Sequence, residues 1–152
     1  MMNLKLAALM TLGLGAIAAP AALAQQAPDY YVGAGLRAGF NDNTSFVLDS
    51  KAKIADLGST VTLSVRPALV FDSSTELRLP LSVDVAVTQS LSPYAGAGVA
   101  YNAGGTSTVD PMITGGLDWS VAQHIVIDLN ANVLFTSGNT DTEFTATVNY
   151  AF

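Results

Sequence analysis

Glu143-Phe144-Thr145-Ala146-Thr147-Val148-Asn149-Tyr150-Ala151-Phe152 closes the chain. On an extended backbone successive side chains point to opposite faces. Phe144, Ala146, Val148, Tyr150 and Phe152 therefore share one face, and Thr145, Thr147, Asn149 and Ala151 share the other. Chain ends usually fray into water, so an apolar aromatic as the last residue is out of place in a soluble domain. It makes sense in a strand that closes a barrel whose outer face meets lipid. An ordinary amphipathic last strand alternates in the same way, so the rest of the chain has to decide.

Working back from that strand, runs rich in Val, Leu, Tyr and Phe alternate with clusters of Asn, Asp, Ser, Gly and Thr, as in an all-β domain. Eight segments are predicted, at about Tyr30–Phe40, Thr44–Ile54, Thr60–Phe71, Glu76–Val87, Pro93–Tyr101, Val109–Val121, Ile125–Phe135 and Glu143–Phe152. The second also admits a helix ending at Gly58, with Phe46, Val47, Ile54 and Leu57 on one face. Outward loops are expected at about Asn41–Asn43, Asp72–Thr75, Asn102–Thr108 and Thr136–Thr142, and inward turns at Ala55–Ser59, Thr88–Ser92 and Ala122–His124.

Charge sharpens the alternation. No Asp, Glu, Lys or Arg falls on the apolar phase of any segment. Arg37, Lys51, Lys53, Arg66 and Arg78 all lie on the polar phase, with Asp49, Glu76, Asp84, Asp118 and Asp128, while Glu143 stands at a strand end. A soluble barrel or sandwich would turn these charges to water; a membrane barrel would enclose them. Glycines at 33, 35, 39, 96, 98 and 116 share the polar phase, where they weaken a water-facing strand but leave room for Arg and Tyr in a lumen. Aromatics near segment ends (Tyr30, Phe40, Phe71, Tyr101, Trp119, Phe135, Tyr150, Phe152) suit an interfacial girdle.

Bulk properties agree. The start of the chain reads as an export signal: a charged Met1–Lys5, an apolar Leu6–Ala19, then Pro20 and Ala22-Leu23-Ala24, with cleavage expected after Ala24. That leaves 25–152 as one domain. The chain contains no Cys, which removes disulfides, thiolate metal sites and a lipoprotein anchor. Its twelve acidic residues against six basic make a poor nucleic-acid binder. No later run approaches the roughly 20 apolar residues of a spanning helix, so a membrane location demands a closed barrel.

The ending, with Phe152 last and Tyr150 two places before it, resembles the C-terminal strand of small bacterial outer-membrane β-barrels of the OmpA/OmpX type, within the porin-like superfamily. Thr145 suits the polar position of that ending, and Thr147 stands where such strands often carry Gly. The resemblance implies an eight-stranded antiparallel up-and-down transmembrane β-barrel in a Gram-negative outer membrane, with both termini periplasmic. It also implies lipid as the outer partner and recognition of Tyr150 and Phe152 by the barrel assembly machinery.

An eight-stranded barrel is just wide enough for side chains to fill. The five cations and five anions named above should then form a charge-balanced ion-pair network: Arg37, Asp49, Lys51, Lys53, Arg66, Glu76, Arg78, Asp84, Asp118 and Asp128. A plugged monomer with a structural role in the envelope follows. A narrow channel for ions or small solutes, and a soluble periplasmic barrel with a lipophilic ligand, are the alternatives. No cofactor and no catalysis are expected. His124, the one histidine, sits in a predicted turn near Ser120 and Asp128. Gly33-Ala34-Gly35 lacks the helix a dinucleotide fingerprint needs; with Gly96-Ala97-Gly98 it forms a faint repeat, each copy opening on a tyrosine, Tyr31 or Tyr94. Asp110, Asn41-Asp42-Asn43 and Asn139-Thr140-Asp141 lack the carboxylate density of a Ca²⁺ site.

Overall fold

The computed structural model describes residues 28–40 and 42–152. The export segment and its cleavage point lie outside the described residues. Nine strands follow in order: β1 (Tyr30–Gly39), β2 (Ser45–Asp56), β3 (Val61–Val65), β4 (Ala68–Phe71), β5 (Thr75–Val85), β6 (Leu91–Asn102), β7 (Thr108–Ala122), β8 (Ile125–Thr136) and β9 (Asn139–Ala151). β3 and β4 are halves of one stave, interrupted at Arg66–Pro67 because proline has no N–H to give the ladder. The neighbours hold across the gap: Arg66 N–H donates to Pro80 O at 3.0 Å, and Ser50 N–H donates to Pro67 O at 3.0 Å. The barrel therefore has eight antiparallel staves. β1 pairs with both β2 and β9, which closes the ring and leaves no open edge.

The second segment is a strand. Its residues pair with β1 from Tyr30↔Ala52 to Arg37↔Ser45, and burial alternates along its first half. Period-two placement of Asp49 and Lys51 inward outweighs the helical spacing of Phe46, Val47, Ile54 and Leu57. The fourth outward loop is much shorter than expected. β8 and β9 continue to a Thr136↔Asn139 pair, and Gly138 makes the turn at φ 94°, a left-handed conformation open to glycine at little cost.

The two faces are inverted relative to a soluble protein. Among the described residues, nineteen polar or charged ones are buried against nine apolar ones. Val32, Leu48, Leu79, Leu81, Val83, Ile113 and Val148 stand exposed on the outer wall. This overturns the soluble barrel with an apolar cavity: its core would have to be built from residues that here face out. The register is pinned by charge, because a one-residue slip would aim Asp49 and Lys51 at the apolar surroundings.

Aromatic rings mark both rims. Phe40 meets Phe144 edge-on at 5.7 Å, and Phe46 meets Phe71 at 6.1 Å, at the loop end. At the end carrying the chain termini, Tyr30 stacks on Phe152 at 6.4 Å and His124 on Tyr150 at 5.3 Å. Glycines serve two purposes. At Gly116 a Cβ would come within 2.6 Å of both the Tyr94 hydroxyl and the Leu129 backbone carbonyl, so the residue makes room for a side chain as well as for close strand approach. At Gly35 a Cβ would run into the backbone carbonyl of Ala146, so close strand approach, and not space for Arg or Tyr, requires glycine there.

Candidate functional site

The candidate site is the lumen. Its inward-pointing charges come from every second residue of the staves, and a charge buried there is costly without a partner. They sort into two tiers.

Arg66 organises the tier nearer the termini. It comes from the gap between β3 and β4 and is 4% exposed. Nη2 donates to Asp84 Oδ1 at 2.9 Å and to Asp118 Oδ2 at 2.8 Å, Nη1 to the Tyr31 hydroxyl at 2.7 Å, and Nε to Ser82 Oγ at 2.8 Å. Its guanidinium carbon lies 3.4 Å from the centroid of the Tyr94 ring, in a cation–π contact. One side chain thus touches β1, β5, β6 and β7. Lys51 Nζ joins the same acids, at 3.0 Å from Asp118 Oδ2 and 3.3 Å from Asp84 Oδ2. Tyr31 donates to Asp118 Oδ1 at 2.9 Å.

Glu143 organises the tier nearer the loops. It is 1% exposed and bridges two arginines, Arg37 through Oε1 and Arg78 through Oε2, the latter at 2.6 Å. Arg37 reaches on to Asp72 at 3.2 Å and Asp42 at 3.7 Å, tying two loops to the closing strand. Arg78 also pairs with Glu76.

Of the ten residues predicted for the network, nine face this interior. The tenth, Lys53, sits at the mouth of the lumen, where it lines the cavity beside Lys51 and its Nζ pairs with Asp29 at 2.8 Å and Asp56 at 3.2 Å. The β-bulge between Lys53 and Ala55 lies at this rim, and turn carboxylates are near enough to claim the ammonium. Glu143 takes an interior place that the sequence reading left at a strand end. The expected five-to-five balance is therefore replaced by four buried cations facing a larger number of carboxylates. Asp49 and Asp128 have no cation partner. Asp49 accepts from Thr147 Oγ1 at 3.1 Å, and Asp128 accepts from the Tyr94 hydroxyl at 2.8 Å and Asn130 Nδ2 at 2.6 Å. Tyr31 and Tyr94 were overlooked as network members, although both head the glycine repeat and lie on the polar phase.

A cavity of about 50 Å³ opens near the terminal end beside Lys51, Lys53, Asp84 and Ser92. One of about 30 Å³ lies among Asp49, Arg66, Arg78, Tyr94 and Asn130. Each has room for a few water molecules at most; Lys51 and Asp84 line the first, and Arg66 and Tyr94 the second.

The remaining candidates are dispersed. His124 Nδ1 is 2.9 Å from Ala151 O, and its ring stacks on Tyr150 instead of reaching Ser120 or the inward-facing Asp128. Carboxylates of Asp42, Asp141 and Glu143 approach one another within 4.8 Å at the loop end, but Glu143 is already held by two arginines. Tyr150 and Phe152 lie on the outer wall, 55% and 72% exposed.

Comparison with solved structures gives the same architecture. A de novo designed transmembrane β-barrel matches with a TM-score of 0.64 at 18% identity, covering 84% of this chain and 99% of that one. The N-terminal β-barrel domain of Pseudomonas aeruginosa OprF matches with a TM-score of 0.58 at 13% identity, covering 84% and 100%. The Yersinia pestis outer membrane protein Ail matches with 0.59 at 10% identity, covering 83% and 100%. No protein-family model and no curated relative matches the chain. At these identities the likeness is one of fold: a small eight-stranded transmembrane β-barrel.

Proposed function

We propose that this protein is an integral outer-membrane barrel with a structural role in the envelope, its lumen closed to solutes by its own side chains. The observation that carries the reading is Arg66, which crosses the lumen and binds residues of four staves at once. The small size of the cavity that Arg66 lines, about 30 Å³, supports the same view. In this reading residues 1–24 direct export, both termini face the periplasm, and the barrel is a monomer surrounded by lipid. Tyr150 and Phe152 present the closing strand to the assembly machinery. Catalysis has no place in it, since the single histidine is committed to the Ala151 carbonyl and the Tyr150 ring.

The second reading is a narrow channel, favoured by polar lining at two depths of the lumen, one cavity beside Lys51 and Asp84 at the terminal end and one beside Arg66. Planar bilayers separate the two. Purified native protein should be electrically silent, and Arg66→Ala, which removes the crossing side chain, should admit small ions and give measurable conductance steps. Steady conductance of the native protein would replace the closed barrel with the channel.

A further inference from the structure

The tier around Arg66 holds more carboxylates than cations. Asp49, Asp84, Asp118 and Asp128 are each 7% exposed or less, and Lys51 and Arg66 are the cations bonded within it. Both cations bind the same two acids, Asp84 and Asp118. Asp128 receives only neutral donors, the Tyr94 hydroxyl and the Asn130 amide. Asp128 and Asp118 are moreover directly opposite one another in the β7–β8 ladder, the placement in which like charges oppose pairing.

Around Asp128 stand Asp118 across the ladder from β7 and Tyr94 from β6; Asp49 from β2 bonds the Thr147 opposite it, and Tyr31 from β1 and Arg66 from the interrupted stave bond Asp118. β9 presents uncharged Thr147 opposite it. Lys51 and Asp84 stand behind Asp118, bonded to each other. Arg66 is the nearest cation, and its donors are directed at Asp84, Asp118, Tyr31 and Ser82. Asp49 differs in the sheet: its ladder partners are Gly33 and Ala68, and it reaches the neighbourhood of Asp128 only through Thr147, which bonds it.

We propose that Asp128 carries a proton in the folded barrel, which makes the Asp118/Asp128 pair a proton-binding site in the lumen. Two ionised carboxylates side by side in an enclosed space are costly, and one proton leaves the pair with a single charge, on Asp118, which Lys51 and Arg66 both bond. The Tyr94 contact serves both forms. At 2.8 Å the hydroxyl donates to the carboxylate, or the carboxylic acid donates to the hydroxyl oxygen. The inference needs a buried lumen and is independent of whether that lumen conducts.

Linkage sets the sign. Around neutral pH the folded state binds a proton that the unfolded chain releases, so stability falls as pH rises. The full protein in detergent micelles provides the test. Infrared spectra at neutral pH should contain the carbonyl stretch of a neutral carboxylic acid, absent after unfolding and absent from Asp128→Asn. The urea midpoint of the native protein should drop between about pH 5 and about pH 8, while Asp128→Asn shows a smaller drop. If that variant does not fold, Tyr94→Phe should shift the acid band by removing its partner. A folded native protein without the band, a band that survives in folded Asp128→Asn, or a band unmoved in Tyr94→Phe would each overturn the proposal. So would a missing band together with a sodium-dependent midpoint, which would assign the compensating charge to a metal cation.

Discussion

Tyr94 is the residue on which two kinds of interaction converge. Its ring faces the Arg66 guanidinium, its hydroxyl bonds Asp128, and the same hydroxyl fills the space left by the missing Cβ of Gly116. A methyl group at Gly116 would sit 2.6 Å from that oxygen, 2.6 Å from the Leu129 backbone carbonyl oxygen and 2.7 Å from Asn130 Cβ, so the β7–β8 backbone as well as a side chain must shift. Gly116→Ala should cost about 1–3 kcal/mol, the usual range for overpacking a filled interior, seen as a lower urea midpoint. Gly115→Ala is the matched control. Its Cβ faces outward and meets only the Tyr94 carbonyl oxygen, at 3.8 Å, so the midpoint should hardly change. Equal losses in the two variants would contradict the packing account.

At the scale of the element, the closing strand shows how one segment serves both faces. Its inward row, Glu143, Thr145, Thr147 and Asn149, is buried, whereas Phe144, Val148, Tyr150 and Phe152 are exposed. Phe152 adds a backbone bond from its N–H to Tyr30 O at 3.2 Å and a stack on the Tyr30 ring. Deleting Phe152 therefore removes one rim hydrogen bond, worth about 1 kcal/mol, and little buried area. The prediction is a small change in the unfolding midpoint of refolded protein but a large loss of membrane-inserted protein in cells. Equal insertion of the truncated and full chains would count against a role for Phe152 in assembly.

For the whole molecule, the architecture was legible in the sequence because charge and period reinforce each other. A strand phase with no Asp, Glu, Lys or Arg can only be a face that water does not reach. The site was legible in composition but not in pairing. Which acid meets which base depends on register between strands far apart in the chain, such as Arg37 with Glu143 or Lys51 with Asp118, and no local pattern encodes that. Lys53 and Glu143 were exchanged for this reason: both are near strand ends, where a bulge or a tight turn decides whether a side chain points in or lies at the rim. The gap at Pro67 and the short Gly138 turn are local features, and a closer reading of those two residues would have found them.

The central claim is that the apolar phase faces lipid and the charged phase is enclosed. Fractionation of cells producing the full chain, with heat-dependent mobility in SDS gels, tests it most directly. The account predicts that the protein is recovered with outer membranes and that the unboiled sample migrates differently from the boiled one, because a closed barrel resists SDS until heated. Recovery in the soluble periplasmic fraction, with identical mobility before and after boiling, would contradict it.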